Sequence, residues 1–286
     1  MEYKSHIWSE EEALRFYNTV LGPMLPDESD FFCVAARKKY MTDEEKKTIK
    51  MGDTCMMGKT VIKEYSERVF LSKLHQIDSS LDWFVDLEGN YLPRTCMCFY
   101  INVNRTSVPK AVLDFKKELA EYDFEFSMAS LKKTSDLQAT RKLAGIHNRI
   151  LKAFQDPRNC DDKWMDVDMD MDKSVGPVEI TGFLRGLEKL DGNRSALNEI
   201  PVVETQGGYH VLISRDKLRL ANREISKMYD GTDIKKHVLT MQRFVDVLRT
   251  FCAEKGVEVK EISINQNKMV PLPGTLQNGF RVRMHV

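Results

Sequence analysis

KWMDVDMDMDK, residues 163–173, sets aspartate at every second position: Asp166, Asp168, Asp170 and Asp172, with Val167, Met169 and Met171 between them. Strict alternation is the period of a strand, whose successive side chains point to opposite faces. The carboxylates then emerge together on one face, while Met165, Val167, Met169 and Met171 turn toward a core. Like charges stacked about 6–7 Å apart along a strand repel and raise one another's pKa unless a cation sits among them. Oxygen-only donors suit a hard divalent ion, Mg²⁺ or Mn²⁺, rather than a thiol-seeking one. The competing reading is a solvated acidic edge that deters aggregation.

The flanking segments decide what this strand belongs to. Downstream, Pro177 precedes VEITGFLRGLEKL, which carries Ile180, Phe183, Leu184 and Leu187 on one helical stripe. IPVVETQ and YHVLIS read as a hairpin around Gly207 and Gly208. A helix from about Asp233 to Lys255 carries Ile234, Val238, Met241, Val245 and Leu248 and ends at Gly256, and VEVKEISI is a last strand before VPLPGTLQNGFRVRMHV. The order β-α-β-β-α-β is the split βαβ arrangement, a small antiparallel sheet backed by two helices with one face open. KLRLANREISKMY adds a helix without disturbing that order. In this arrangement the first and third strands are commonly the central pair, which brings His210 beside the aspartates. Two glycines precede His210 and let a ligand approach the backbone, although a satisfied, partly buried histidine is the plainer reading.

Upstream, TCMCFYINVN has strand-forming composition and leads to Ser107 as a helix cap, Pro109 near the helix start, and Val112, Phe115 and Leu119 at helical spacing. A second helix over Gln138 to Phe154 repeats Leu143, Ile146, Ile150 and Phe154, and Pro157 stops it. The first 60 or so residues mix an amphipathic EEALRFYNTVLGPML, a strand-like DFFCVAARKKYM and a charged TDEEKKTIK, with no chemical signal. The expected division is an N-terminal α/β portion, 1–157, packed on a core, 158–286. A rival acidic stretch, DWFVDLEGN, holds Asp86 and Glu88 in a strand running into a turn at Gly89 and Asn90.

Composition bounds the function. The chain has 286 residues and 42% hydrophobic content, enough to bury a real core. It has no apolar run of about 18 residues, and its N-terminus lacks the layout of a secretory signal, so no membrane and a cytoplasmic location are expected. The six cysteines include no C-x-x-C pair, and Cys96 and Cys98 fall where both thiols would share one strand face, so reduced, buried thiols are expected. Lys+Arg and Asp+Glu are equal at 43, which gives no basic excess of the kind a tight nucleic-acid binder shows.

WMDVDMD, then TQGGYHVLI from Thr205 to Ile213, then VEVKEISI, then PLPGTL from Pro271 to Leu276, together resemble the archaeo-eukaryotic primase superfamily, the catalytic subunits of primases and primase-polymerases, including those of phages and plasmids. The resemblance covers residues 160–286. It implies an α/β (α+β) protein with an RRM-like split βαβ catalytic core and an N-terminal α/β extension. It also implies synthesis of short primers on single-stranded DNA by two-metal nucleotidyl transfer in DNA replication. Catalytic roles would fall to Asp168, Asp170, His210 and a third carboxylate, best matched by Glu261, and metal binding to Asp168, Asp170, Asp166 and Glu261, with Asp166 an alternative partner of Asp168 in the D-x-D pair and Glu258 a fallback for Glu261. Nucleotide binding would fall to His210, Gly208, Thr205 and the cations Lys268 and Arg281. The last two substitute for the basic residue that the family places before L-P-G, where this chain has Pro271.

Mg²⁺ or Mn²⁺ is the implied cofactor, and the implied partners are single-stranded DNA template and nucleoside triphosphates. The sequence has no P-loop of the form G-x-x-x-x-G-K-[ST], so unwinding would fall to a separate replicative helicase, and no Cys/His zinc cluster to grip template. A viral source would make the location the host cytoplasm. Two other readings stand beside this one. The fold could serve a catalytically degenerate replication accessory protein, given the ambiguous third acid and the missing arginine. Alternatively, Asp168 to Glu179, DMDMDKSVGPVE, approximates EF-hand spacing for Ca²⁺, with Lys173 where that loop needs glycine.

Overall fold

The structure, a computed structural model, describes residues 4–131, 146–189, 200–228, 240–265 and 269–286. It is a mixed α/β protein built on two antiparallel sheets.

The first sheet grows around β1 (Glu28–Arg37), paired with β2 (Thr54–Ile62) on one side and β3 (Met97–Asn102) on the other, with the short β4 (Thr106–Ser107) at the start of β1. The run SDFFCVAA within β1 is buried without interruption, as expected of a strand covered on both faces. Phe32, Val34 and Ala36 join the core under α1 (Glu10–Phe16) and α3 (Glu67–Ser80), and Phe31 and Cys33 pack toward α4 (Val108–Leu131) and α5 (Ile146–Gln155). Caps start the helices where the sequence changes period: Ser9 and Ser66 accept from Glu12 N and Val69 N, and Thr42 with Glu45 forms a capping box on α2 (Asp43–Thr48).

The second sheet holds β5 (Trp164–Met171), β6 (Val202–Glu204), β7 (Gly208–Ser214) and β8 (Val259–Ile264) in the spatial order β6-β7-β5-β8. Its register sets Asp168 opposite His210 on one side and Ser263 on the other, and Asp170 opposite Gly208 and Glu261. Met165, Val167, Met169, Met171, Tyr209, Val211 and Ile213 form one face and pack under α6 (Pro177–Lys189) and α8 (Met241–Glu254), through Ile180, Leu184, Phe244, Val245 and Leu248. Helix α7 (Arg215–Met228) leaves directly from β7.

The chain's end sews the two sheets together. Strand β9 (Met269–Pro271) pairs with β3 in the first sheet, a small ribbon β10 (Leu276–Gln277) and β11 (Phe280–Arg281) follows, and β12 (Arg283–His285) pairs with β6 in the second. The PGT stretch makes the crossing possible: a Cβ on Gly274 would lie 2.3 Å from the carbonyl of Ser9, and Gly274 O accepts from the N–H groups of Trp8 and Ser9. The expected division at residue 157 therefore does not hold at the C-terminus, whose last strands belong to both halves.

Several local expectations change. The helix expected from Asp233 begins at Met241, because Thr240 is extended and caps it through Arg243 N, and 229–239 lie outside the described residues. The helix expected from Gln138 is described only from Ile146. Cys96 ends a turn ahead of β3 and its thiol joins the first core, whereas Cys98 lies within β3 and outside that core, so the two do not share a strand face; both are free and buried. Asp86 is not on a strand. Its carboxylate accepts from the Asn90 side-chain amide and from the backbone N–H groups of Lys50, Glu88 and Asn90 and organises a turn, and these bonds, the Asn90 side chain's first, hold its pKa low. Among the described residues no helix is long and apolar enough to cross a membrane.

Candidate functional site

The face of the second sheet that bears the aspartates is open only in part. Trp164, Val203, Leu212 and Met284 at one end of it join the core of the first sheet, and there the two sheets close on each other. Beyond that contact they diverge into a cleft of about 750 Å³. Asp168, Asp170, Glu261, His210, Thr205 and Ser263 line its second-sheet wall; Arg37, Lys39, Tyr40, Thr54 and Tyr100 line the wall opposite.

Asp170 and Glu261 are exposed to this cleft, and neither carboxylate has a hydrogen-bond partner among the described residues. The Asp168 side chain is 47% exposed, and its Oδ1 lies 3.7 Å from His210 Nε2. Burial raises the Asp168 pKa first, His210 opposes that, and the nearby charges of Asp166, Asp170 and Glu261 add to the rise. Among the described residues no three His, Cys, Asp or Glu side chains converge on one ion position as they stand. The donor set nonetheless suits a hard divalent cation in kind, being carboxylate oxygens that crowd and repel on one face of a sheet.

Asp166 is placed differently from its neighbours. Its side chain is 0% exposed, and both oxygens lie 3.1 Å from His210 Nδ1, while Asn265 Nδ2 donates to Oδ2 at 2.6 Å. His210, with its side chain 9% exposed, is thus held at the floor of the cleft and does not stand on an exposed sheet face. Burial works to lower its pKa, but the charge and hydrogen bond of Asp166, with Asp168 behind them, outweigh burial and leave it raised.

The hairpin before His210 is shaped by its glycines. A Cβ on Gly208 would fall 1.9 Å from the Met169 carbonyl of the neighbouring strand, so only glycine lets β7 lie this close to β5. Thr205 closes the turn by donating its hydroxyl, and its N–H, to Gly208 O. Gln277 then fastens the hairpin to the opposite wall: its Oε1 accepts from Gln206 N and its Nε2 donates to Tyr40 OH.

Of the two expected cations, only Arg281 can be placed, and it is not at the cleft. Lys268 lies outside the described residues, and Arg281 is exposed, stacked over the Trp8 ring at 5.5 Å, and does not line the cleft. The described cations on the cleft's opposite wall are Arg37 and Lys39, which sequence reasoning missed. Arg37 Nη1 donates to Tyr100 OH at 2.6 Å. The Lys39 pKa is lowered by burial and by Arg37, and Asp170 and Asp168 across the cleft pull it the other way. The signal was the run RKKY at 37–40, basic residues directly after an apolar strand. Lys152 on α5 adds a third cation at the cleft edge.

The EF-hand spacing does not form a loop. Asp168 and Asp170 lie on a strand, and the Glu179 carboxylate accepts from Gly176 N at the start of its own helix, so the acids do not wrap one point. Comparison with models of known protein families, with characterised proteins and with solved structures finds no match for this chain.

Proposed function

We propose that the chain is a DNA-dependent primase or primase-polymerase, a nucleotidyltransferase that makes short primers on single-stranded DNA. The observation that carries this reading is the polarity of the cleft. Asp168, Asp170 and Glu261 stand on one wall, Arg37 and Lys39 on the other, with the His210 imidazole between them at the floor. A polyphosphate needs both sides, cations for its own charge and carboxylates for the metal that accompanies it. The strand order β8-β5-β7-β6, antiparallel throughout and extended beyond β6 by β12, supports the proposal of an RRM-like split βαβ core.

Asp168, Asp170 and Glu261 are the residues that would hold Mg²⁺ or Mn²⁺. The bound ions supply activation of the attacking 3′-hydroxyl and neutralisation of charge on the triphosphate. His210 hydrogen-bonds the triphosphate from the floor, and Arg37 and Lys39 take its remaining oxygens. Tyr40 and Tyr100 give the cationic wall an aromatic surface, and burial raises the pKa of both so that they stay neutral hydrogen-bonding groups. Template DNA, nucleoside triphosphates and a separate helicase are the proposed partners, and the cytoplasm the proposed location.

The deciding experiment is de novo synthesis on single-stranded DNA with labelled nucleotides, comparing Mg²⁺ with Mn²⁺, and wild type with an Asp168→Ala, Asp170→Ala double variant. Short products from wild type alone are expected. Nucleotide binding without product in either metal would favour the second reading, a degenerate accessory protein of the same fold. The observation behind that second reading is that no three described metal-binding side chains already converge.

A further inference from the structure

Asp166 sits in the same alternation as the cleft aspartates, yet its carboxylate never reaches the cleft. It is a buried carboxylate, and such a group is stable only where it is paired and hydrogen-bonded. Its partners are specific. His210 Nδ1 lies 3.1 Å from each oxygen, and Asn265 Nδ2 donates to Oδ2 at 2.6 Å and to Met269 O at 2.9 Å. The backbone reinforces this pairing, because Asn265 N also donates to the Asp166 carbonyl at 2.9 Å. The imidazole therefore has one nitrogen committed to the protein interior, and the other, Nε2, 3.7 Å from Asp168 Oδ1. Such a bond on one ring nitrogen sets the orientation of the ring and the role left to the other.

We infer that Asp166, held in turn by Asn265, is a positioning residue: it fixes the plane of the His210 ring through Nδ1 and aims Nε2 at the phosphate groups of a bound nucleotide. This rests on the nucleotide-binding role proposed for His210. It also separates the aspartates by task, with Asp166 serving the histidine and Asp168 and Asp170 left to the cleft. Asn265 lies on the segment between β8 and β9, so the clamp ties the histidine to the point where the chain leaves the second sheet for the first.

Two measurements on Asp166→Asn and Asn265→Ala test this, with His210→Gln as reference. The first is nitrogen-15 histidine NMR of the unliganded protein, which reads ring-nitrogen hydrogen bonding whatever the activity. In wild type the His210 Nδ1 should carry a hydrogen-bonded proton, assigned by its absence in His210→Gln. In Asp166→Asn that signal should be lost or moved, because the amide nitrogen must face either the ring or Asn265. The second is calorimetric affinity for a non-hydrolysable nucleoside triphosphate with Mg²⁺. It should fall about tenfold in Asp166→Asn and by less in Asn265→Ala, the low end of the loss seen when the group that orients a metal-bound histidine is removed.

An unchanged Nδ1 signal in a folded Asp166→Asn protein overturns the clamp. A changed signal with unchanged triphosphate affinity overturns its link to nucleotide. If Asp166→Asn does not fold, Asn265→Ala decides both points by the same readouts. A wild type that binds no triphosphate at all refutes the nucleotidyltransferase reading, while the NMR result still decides whether Asp166 holds the ring.

Discussion

At the residue scale, the crowding of carboxylates on one strand face has a measurable consequence through Asp168. Its pKa is raised in the folded protein, chiefly by burial, so the folded state holds that proton to a higher pH than the unfolded chain does. The contribution of Asp168 to folding stability therefore falls as pH rises from the ordinary carboxyl value of 3.8 through the raised folded value, with its full penalty present above it. Divalent cation should reverse the sign. Mg²⁺ or Mn²⁺ is expected to raise the melting temperature of wild type at pH 7 more than at pH 5, and to leave an Asp168→Asn, Asp170→Asn double variant unmoved. Without metal at pH 7 that variant should equal or exceed wild type by up to about 1 kcal/mol, a small figure because Asp168 is half exposed. Equal metal shifts in both proteins would place the cation elsewhere. The acids and His210 were legible at this scale because alternation fixes which side chains share a face, and glycines mark where a strand must come close. Asp166 was not legible as a separate case, because period alone cannot say which of several equivalent carboxylates is covered by a neighbour 99 residues away.

At the element scale, the cleft is made by two strands that the sequence does not link. Strand β5 announces itself through its aspartates, whereas β1 reads as an ordinary buried strand, and the RKKY that follows reads as its solvated end. Only tertiary packing turns that end toward Asp168 and Asp170. The hairpin and β8 could be anticipated, since each is bounded by turn residues and carries the right period. The helix start at Thr240 could not, because Val238 and Met241 keep helical spacing in the sequence across it and only the cap's extended backbone marks where the described helix begins. If β1 supplies the phosphate-binding wall, Arg37→Gln with Lys39→Gln should weaken binding of a labelled single-stranded oligonucleotide. It should also flatten the dependence of log affinity on log salt by about 0.7 for each phosphate no longer neutralised. Anisotropy titrations across a salt series would read this directly. Because Arg37 also donates to Tyr100, Tyr100→Phe serves as a control that removes the hydrogen bond and keeps the charge. An unchanged slope in the double variant would mean that this wall does not meet nucleic acid.

At the scale of the whole molecule, the decisive feature is that the two sheets are not separable modules. Trp164 opens β5, yet its ring belongs to the first core, its Nε1 donates to Val20 O at 2.9 Å, and Asn104 bonds its backbone on both sides, accepting from its N–H and donating to its carbonyl. Val203, Leu212, Val282 and Met284 accompany it across the same boundary. A chain cut at residue 157 would expose that whole surface in the C-terminal piece and leave β3 without β9 in the N-terminal one. The full chain is therefore expected to unfold in urea as one transition, with tryptophan fluorescence and far-ultraviolet circular dichroism coincident, and fragments 1–157 and 158–286 to remain unfolded when expressed apart. Trp164→Ala should cost about 3–5 kcal/mol, the usual range for deleting a buried aromatic side chain. It should also weaken metal and nucleotide binding, because Asp166 and Asp168 follow Trp164 by two and four residues on the same strand face. Two separated transitions, or a fragment 158–286 that folds and binds Mn²⁺ alone, would show instead that the second sheet builds the site unaided and that the first sheet's cations are additions to it.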